Sequence, residues 1–178
     1  MNLNISKKLC MNNNNDRWAD YYKQVMGYPH RPQTEEMIRL NHSGVLRAID
    51  CGCGTGSDMA YLASQGYEVH GFDSHPASVE LCQQRFKDQP NIYISNHRFD
   101  DFNYPPAGLV IAYYSLFFCP PHLWKPSWQK IDQAVVPEGV FCGDFMGNKD
   151  SWVTEVNHQL NPMSEAQVRD LFHDSPAG

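Results

Sequence analysis

The chain has 178 residues, a length that suits one domain with a core of its own. Its 14 basic and 20 acidic side chains give a net charge of -6 without a lysine or arginine block, so nucleic acid is a poor first choice of substrate. Six cysteines at irregular spacings favour reduced thiols in a cytosolic protein over disulfides or a metal site. The first residues lack the long apolar run of a signal peptide, and a membrane span is not expected.

Segment 1–15 is polar and rich in asparagine, and we expect it to be disordered. Segment 16–32 then brings Trp18, Tyr22 and Arg31 together ahead of the first predicted strand. It forms either an amphipathic helix that packs its rings on the body of the protein or a lid over a ligand. The residues alone leave both interpretations open.

A glycine-rich turn organises the rest of the chain. An apolar run from Val45 to Ile49 leads into it, and its glycines stand at alternate positions, Gly52, Gly54 and Gly56, before a predicted helix that starts at Ser57. Glycine is needed where a ligand lies against the backbone, since a Cβ would block the approach. The N-terminus of the following helix offers unpaired N–H groups to the same ligand.

An acidic residue stands at the end of the next strand. Tyr67 to Phe72 is predicted to be that strand, and Asp73 follows it directly. A carboxylate at this place can accept both hydroxyl groups of a ribose. The sequence therefore predicts a nucleoside ligand that spans the glycine turn and Asp73.

The glycine spacing decides which nucleoside fits. A dinucleotide loop follows Gly-x-Gly-x-x-Gly or ends in Ala, but from Gly52 the last position falls on Ser57. A P-loop would end in Gly-Lys-Ser or Gly-Lys-Thr, and no lysine is near. The pattern that fits is acid-x-Gly-x-Gly-x-Gly from Asp50 to Gly56. It resembles motif I of the class I S-adenosylmethionine-dependent methyltransferases, and Asp73 matches the ribose-binding acid of their motif II.

Strand and helix patterns alternate along the chain, which predicts a parallel sheet with right-handed crossovers. The expected fold class is α/β, a Rossmann-like three-layer sandwich with about five strands. Ser74 is placed to cap the helix after the second strand. The other predicted elements are a helix at Thr34–Asn41, strand three at Asn91–Ser95, strand four at Leu109–Tyr114, a helix that carries Trp124 and Trp128 and ends at Pro137–Gly139, strand five at Val140–Met146, and a helix at Ser164–Phe172 opened by a capping box of Ser164 and Gln167.

Further segments are similar to the tellurite-resistance-type branch of small methyltransferases, and the likeness covers nearly everything from Asp16 to Phe172. These segments are Trp18 with Tyr21 and Tyr22, His30 to Pro32, the glycine turn with Asp73, the helix that holds Trp128, and Gly139 to Gly147 followed by Asp150 to Trp152. The resemblance implies one methyltransferase domain at 16–178 that binds S-adenosylmethionine, with 16–32 as a lid-like segment.

Two positions depart from the pattern of the family. An acid usually follows the third strand and meets the adenine amino group, whereas by spacing Arg98 stands there, with Asp100 and Asp101 as displaced candidates. The Asp that often opens strand four is replaced by Gly108. These departures keep open an alternative in which a methyltransferase-like protein without catalytic activity acts through protein contacts.

The resemblance and the strand ends together give two sets of candidate site residues. Those expected to bind the cofactor are Asp50, Cys51, Gly52, Gly54, Gly56, Asp73, Ser74, Arg98, Phe99, Tyr113, Tyr22 and Arg31. Those expected to line an aromatic acceptor pocket are Trp18, Tyr114, Phe117, Phe118 and Trp124. Arg31 is a candidate for the methionine carboxylate, because a guanidinium binds that group bidentately. The histidines lack a metal-binding spacing, and His122 is the one considered as a base.

The expected function is direct in-line methyl transfer from S-adenosylmethionine to a small, weakly polar acceptor. A sulfur or selenium nucleophile needs no general base, whereas oxygen or unactivated nitrogen does, and the sequence leaves both open. The alternative enzyme is a nicotinamide-dependent reductase on the same kind of sheet, which the glycine spacing disfavours.

The last expectation concerns the edge of the sheet. Methyltransferases of this fold usually have seven strands, but after strand five the sequence predicts only the helix at Ser164–Phe172 and a turn-like Ser175–Gly178. Strands six and seven are therefore expected to be missing, which leaves an apolar edge from Val140 to Phe145. We expect a homodimer through this edge, with a monomer whose residues 152–178 fold back over it as the alternative.

Overall fold

The computed structural model describes residues 15–155 and 160–173. Its elements are, in chain order, α1 (Asn15–Val25), α2 (Pro32–Leu40), β1 (Arg47–Cys51), α3 (Ser57–Ser64), β2 (Glu68–Asp73), α4 (Pro76–Arg85), β3 (Ile92–Asn96), β4 (Ala107–Ala112), a 3-10 turn (Leu116–Phe118), α5 (Pro121–Ala134), β5 (Val135–Gly143), α6 (Ser151–Glu155) and α7 (Glu165–His173). The disorder expected near the N-terminus and the turn expected after residue 174 fall on residues outside these ranges.

Five parallel strands form one sheet in the order β3-β2-β1-β4-β5. Helices pack on both faces, so the expected α/β three-layer fold is confirmed. The chain crosses from β3 at one edge to β4 on the far side of β1, and the strand order reverses between β1 and β4. Open α/β sheets bind ligands at the carboxyl ends of the strands beside such a reversal.

The two faces of the sheet carry separate hydrophobic cores. Ile49 and Val110 contribute to one core, together with Trp128 of α5. Their neighbours Ala48 and Leu109 contribute to the other core, which also contains residues of α3 and α4. Successive residues of a strand point to opposite faces, and all of β4 is buried, which explains its uninterrupted apolar sequence.

The start of β5 differs from the sequence expectation. The strand begins at Val135, directly after α5, so Pro137–Gly139 lies inside the strand instead of ending the helix. Glu138 takes a φ of 60°, and the pairing with β4 shifts register between Ala107 and Leu109. A turn-like sequence is thus accommodated as an irregularity in an edge strand.

Two predicted helix caps have opposite outcomes. Ser74 is exposed, and the N-cap of α4 is His75, whose Nδ1 accepts the N–H of Ala77 at 3.3 Å, so the prediction for Ser74 was wrong. The capping box is confirmed, since the N–H of Gln167 donates to Ser164 Oγ at 3.2 Å and the N–H of Ser164 donates to Gln167 Oε1 at 2.8 Å.

Gly108 has a packing reason for its departure from the family pattern. A Cβ at this position would lie 2.2 Å from the carbonyl oxygen of Val45 and 2.7 Å from Asn41 Nδ2. No side chain fits there without moving the backbone that leads into β1. The absence of an acid at this position is therefore a property of the local packing.

The C-terminal residues pack against one face of β5 and beyond its end. Phe172 of α7 contacts Trp128, Phe141 and Phe145 through ring pairs with centroids 5.4 to 6.3 Å apart. The N–H of Met163 donates to the carbonyl of Met146 at 2.8 Å, after the strand has ended. Within residues 15–155 and 160–173, no strand pairs with the outer edge of β5.

Candidate functional site

The glycine turn is fastened to the end of β2 by backbone hydrogen bonds. The N–H groups of Gly52 and Cys53 donate to the carbonyl of Phe72 at 2.8 and 3.0 Å. The carbonyl of Gly54 accepts from Ser78 Oγ at 2.6 Å, which ties the turn to α4 as well. These hydrogen bonds fasten the turn to both β2 and α4, as a preorganised binding loop requires.

Asp73 holds both the tip of the turn and the start of α4. Its Oδ2 accepts the N–H of Gly54 at 3.0 Å, and its Oδ1 accepts the N–H of His75 at 2.9 Å. The side chain is only 8% exposed, and burial raises its pKa, although these hydrogen bonds oppose the shift. Each carboxylate oxygen keeps a lone pair after one such bond, so the group fits two adjacent ribose hydroxyls.

The three glycines of the turn serve different needs. A Cβ at Gly52 would lie 2.6 Å from Ser115 Cβ, and one at Gly56 would lie 2.6 Å from the Phe86 ring. A Cβ at Gly54 would meet nothing closer than the Tyr22 ring at 3.9 Å. All three have positive φ, from 54° to 79°. Gly54 is thus the glycine that faces open space above the turn, whereas the other two are required by packing.

Aromatic side chains of α1 cover the turn. The Trp18 ring stacks on the Tyr22 ring with centroids 5.9 Å apart and meets Phe118 edge-on at 5.8 Å. Burial raises the pKa of Tyr22 far above its ordinary value, and the nearby Asp73 adds to the shift, so the phenol stays neutral. The helix therefore packs its rings on the body of the protein, and its role as a lid over a ligand stays a prediction.

Arg31 lies between α3 and the end of β4. Its N–H donates to Asp58 Oδ1 at 2.9 Å, and its Nε lies 3.8 Å from Asp58 Oδ2. Its guanidinium lies over the rings of Tyr114 and Tyr113, with Cζ 4.5 and 5.2 Å from the centroids. Burial raises the pKa of Asp50 well above its ordinary value, Asp58 adds to the shift and Arg31 opposes it. Arg31 therefore places a positive charge beside the first turn of α3 and close enough to Asp50 to act on its pKa.

The chain beyond β4 takes an unusual backbone conformation. Tyr114 has a φ of 52°, which residues other than glycine rarely adopt, and its N–H donates to Asp144 Oδ2 at 3.0 Å. Burial raises the pKa of Tyr113 far above its ordinary value. Asp144 was not among the residues predicted from the sequence. It lies in the Gly139–Gly147 segment that resembles the family, but its contact joins positions thirty residues apart, which the sequence alone does not reveal.

Several predicted site residues lie away from this cluster. Arg98 is exposed and pairs with Asp100 at 2.9 Å, and Phe99 packs edge-on against Phe72 in the core. Trp124 stacks on Trp128 within the same core. Phe117 lies in a separate buried cluster with Met146, Trp152 and Leu160. Ser74 and His122 are exposed.

Two buried histidine nitrogens near Asp73 have no hydrogen-bond partner among residues 15–155 and 160–173. They are His75 Nε2 and His97 Nδ1. His75 Nδ1 already accepts the N–H of Ala77, so Nε2 carries the hydrogen and is an unused donor. His97 follows β3, and its N–H donates to the carbonyl of Asp73 at 3.2 Å. Unsatisfied buried polar atoms are rare in folded proteins, so these two nitrogens are candidates for contact with a ligand.

Over residues 15–155 and 160–173, no three His, Cys, Asp or Glu side chains come together in a way that could hold a metal ion. The helices in these ranges include none that is long and apolar enough to cross a membrane.

Comparison with known proteins agrees with the fold and indicates a family. Residues 48–139 match the model of the methyltransferase domain family. The chain is 34% identical over 130 residues to a carboxy-S-adenosyl-L-methionine synthase of a Nitratiruptor species, covering 70% of this chain and 52% of the relative. It is 35% identical over 116 residues to a thiol methyltransferase of Arabidopsis thaliana, covering 60% of this chain and 50% of the relative. The chain thus spans about half the length of the curated relatives it matches.

A solved structure shows the same fold. It is a complex of the Haloferax volcanii Trm112 methyltransferase activator with a methyltransferase, and it matches with a TM-score of 0.71 and 19% identity over 90% of this chain and 73% of that one. The five-stranded parallel sheet and the helices on both of its faces define a Rossmann-like α/β domain. The chain belongs to the methyltransferase domain family, whose class I members use S-adenosylmethionine as their cofactor.

Proposed function

We propose that this protein binds S-adenosylmethionine across the glycine turn and Asp73 and transfers the methyl group to a small acceptor. The observation that carries the proposal is Asp73, a buried carboxylate that receives the N–H of Gly54 and still has acceptor capacity on both oxygens. Asp73 would hold the ribose, and the backbone of Gly54 would lie against the sugar. His75 Nε2 and His97 Nδ1 would lie on the adenosine side.

The residues around Arg31 are suited to bind the amino-acid part of the cofactor. Arg31 lies beside the first turn of α3 and close to the buried Asp50, which suits an amino acid with one negative and one positive group. When bound, the cofactor supplies a methyl group activated by the adjacent sulfonium. The protein then needs to align the acceptor with that methyl group and to exclude water. The rings of Trp18 and Tyr22 on α1 are placed to exclude water.

The acceptor side is bounded by aromatic rings. Tyr114 is 39% exposed at the end of β4, and Phe118 meets Trp18 of the covering helix. Rings of this kind favour a small, weakly polar acceptor over a macromolecule. His122 is exposed on the first turn of α5. The acceptor atom we propose is a sulfur or selenium, which needs no general base. Membership of the tellurite-resistance-type branch is part of the same proposal.

The first experiment is a calorimetric titration with S-adenosylhomocysteine, the product of methyl transfer. We expect saturable binding in the micromolar range and much weaker binding by Asp73→Ala. A titration with NADH should give no binding. Absence of heat with millimolar S-adenosylhomocysteine would overturn the proposal, and binding of NADH instead would favour the reductase.

A second experiment separates an enzyme from a methyltransferase-like binding protein. Formation of S-adenosylhomocysteine would be followed with thiols, selenols, amines and hydroxyl compounds as acceptors. We expect turnover with a thiol or selenol, and Phe118→Ala should raise its KM. Binding of the cofactor without turnover on any acceptor class would favour the alternative that acts through protein contacts.

A further inference from the structure

Asp144 connects the end of β5 to the turn that follows β4. Its Oδ2 accepts the N–H of Tyr114 at 3.0 Å. The conformation of Tyr114, with a φ of 52°, is strained for a residue with a side chain and persists only where the surroundings hold it. A hydrogen bond from a backbone N–H to a carboxylate is of the strong, charge-assisted kind. Asp144 is thus placed to hold Tyr114 in this conformation.

The conformation of Tyr114 decides where its ring lies. The ring lies 4.5 Å from Arg31 Cζ, within the distance of a cation–π contact, and Tyr113 faces the same guanidinium at 5.2 Å. The backbone of Arg31 is fixed separately, because its N–H donates to Asp58 Oδ1. The direction of the guanidinium is therefore set from both sides, by α3 and by the turn after β4.

The geometry points to Asp144 as a positioning residue for cofactor binding. By holding Tyr114 in its left-handed conformation, Asp144 keeps the ring against Arg31 and so directs the guanidinium at the carboxylate of the cofactor's amino acid. A guanidinium binds a carboxylate through two parallel hydrogen bonds only in a fixed orientation, so a loose ring beneath it weakens that pair. This inference rests on the proposed function and adds a residue that neither motif contains.

The test compares two ligands that differ in the carboxylate. S-Adenosylhomocysteine carries the amino acid, and 5′-methylthioadenosine has the same nucleoside without it. Asp144→Ala should weaken binding of S-adenosylhomocysteine about tenfold, which corresponds to the loss of one good hydrogen bond. Its affinity for 5′-methylthioadenosine should stay within about twofold of the wild-type value. Asp144→Asn keeps an acceptor oxygen and should restore most of the affinity. The exposed Asp88→Ala is the matched control and should bind both ligands like the wild type.

Combined variants show whether Asp144 acts through Arg31. If it does, Arg31→Ala with Asp144→Ala should bind S-adenosylhomocysteine no more weakly than Arg31→Ala alone. Effects that add, or equal losses for both ligands, would overturn the inference, and so would Asp144→Asn behaving like Asp144→Ala. A wild-type protein that binds neither ligand would instead overturn the proposed function.

A second variant tests the inference even if Asp144→Ala does not fold. Tyr114→Gly adopts a positive φ without strain but lacks the ring, so it should fold and show the same selective loss for S-adenosylhomocysteine. Adding Asp144→Ala to Tyr114→Gly should cause no further loss. A further loss in that double variant would mean that Asp144 acts by some route other than Tyr114.

Discussion

The N–H of Gly54 and Oδ2 of Asp73 lie 3.0 Å apart, which joins the tip of the glycine turn to the end of β2 across nineteen residues of sequence. The carboxylate that fits a ribose is therefore also the group that holds the turn in place. Binding and local structure depend on the same side chain, and its substitution should affect both.

Asp73→Ala should weaken binding of S-adenosylhomocysteine about 100-fold, because two hydrogen bonds from the ribose to a charged acceptor are lost. Asp73→Asn keeps one carbonyl oxygen, so its affinity for S-adenosylhomocysteine should lie between those of the wild type and Asp73→Ala. The measurement is calorimetric titration, with the exposed Asp88→Asn as control. Wild-type affinity in Asp73→Ala would show that the ribose lies elsewhere.

The glycines allow strain and steric clash to be measured separately. Gly56→Ala combines a φ of 73° with a Cβ 2.6 Å from the Phe86 ring and should reduce the free energy of unfolding by about 3 kcal/mol. Gly44→Ala has a φ of 72° with no atom within 4 Å and should reduce it by about 1 kcal/mol. Gly147→Ala has neither feature and should change it by less than about 0.5 kcal/mol.

Urea denaturation of the three alanine variants gives these values. Equal decreases in the free energy of unfolding for Gly44→Ala and Gly56→Ala would mean that the Phe86 ring moves aside with little loss of stability. A loss for Gly147→Ala as large as that for Gly44→Ala would mean that the backbone angle is not what limits these positions.

Asp50→Asn should stabilise the protein increasingly as the pH rises. Burial, then Asp58, raise the pKa of Asp50 in the folded state above its ordinary value of 3.8. Between the unfolded and folded pKa values the folded state binds the proton more tightly, so wild-type stability falls as the pH rises through this window and is constant above it. Asparagine has no such proton to lose.

Thermal unfolding of Asp50→Asn and the wild type at about pH 4 and pH 8 tests this sign. The difference in Tm, variant minus wild type, should be larger at the higher pH. Asp73, whose pKa is also raised by burial, is present in both proteins and cancels in the comparison. A difference that does not change with pH would show that Asp50 is ionised in the folded state as easily as in the unfolded state.

Parts of the molecule with a periodic or apolar pattern were predictable from the sequence. β4 is buried on both faces and its sequence is uniformly apolar, so its existence could be predicted. The start of β5 could not, because Pro137–Gly139 has the composition of a turn and is absorbed into the strand with Glu138 at a φ of 60°. Pairing with β4 outweighs local preference there.

The site divides in the same way. Gly54 and Asp73 belong to motifs with fixed spacing, and the structure brings them together. Arg98 was predicted at the adenine, and in the structure it is exposed and pairs with Asp100, so that role stays a prediction. Asp144 and Tyr114 meet only because the ends of β4 and β5 are adjacent. The positive φ of Tyr114 could not be predicted either, because tyrosine rarely adopts it.

The outer edge of β5 leads to the last prediction, which concerns association. The N–H of Asp144 donates to the carbonyl of Ala112, so the N–H groups of Phe141 and Gly143 alternate with it and face the outer edge. Phe172 covers one face of this strand but not its edge. A free, largely apolar edge is a template for another strand, and a two-fold pairing of identical edges is the simplest way to cover it.

We therefore expect light scattering on a size-exclusion column to show a dimer at tens of micromolar and a monomer on dilution. Hydrogen exchange should protect the amides of Phe141 and Gly143 only at the higher concentration, because in the monomer they have no acceptor among the described residues. The amide of Asp144, bonded within the sheet, is the internal reference and should be protected at both. A monomer at all concentrations with Phe141 and Gly143 protected would show that the chain's own residues cover the edge and that the dimer does not form.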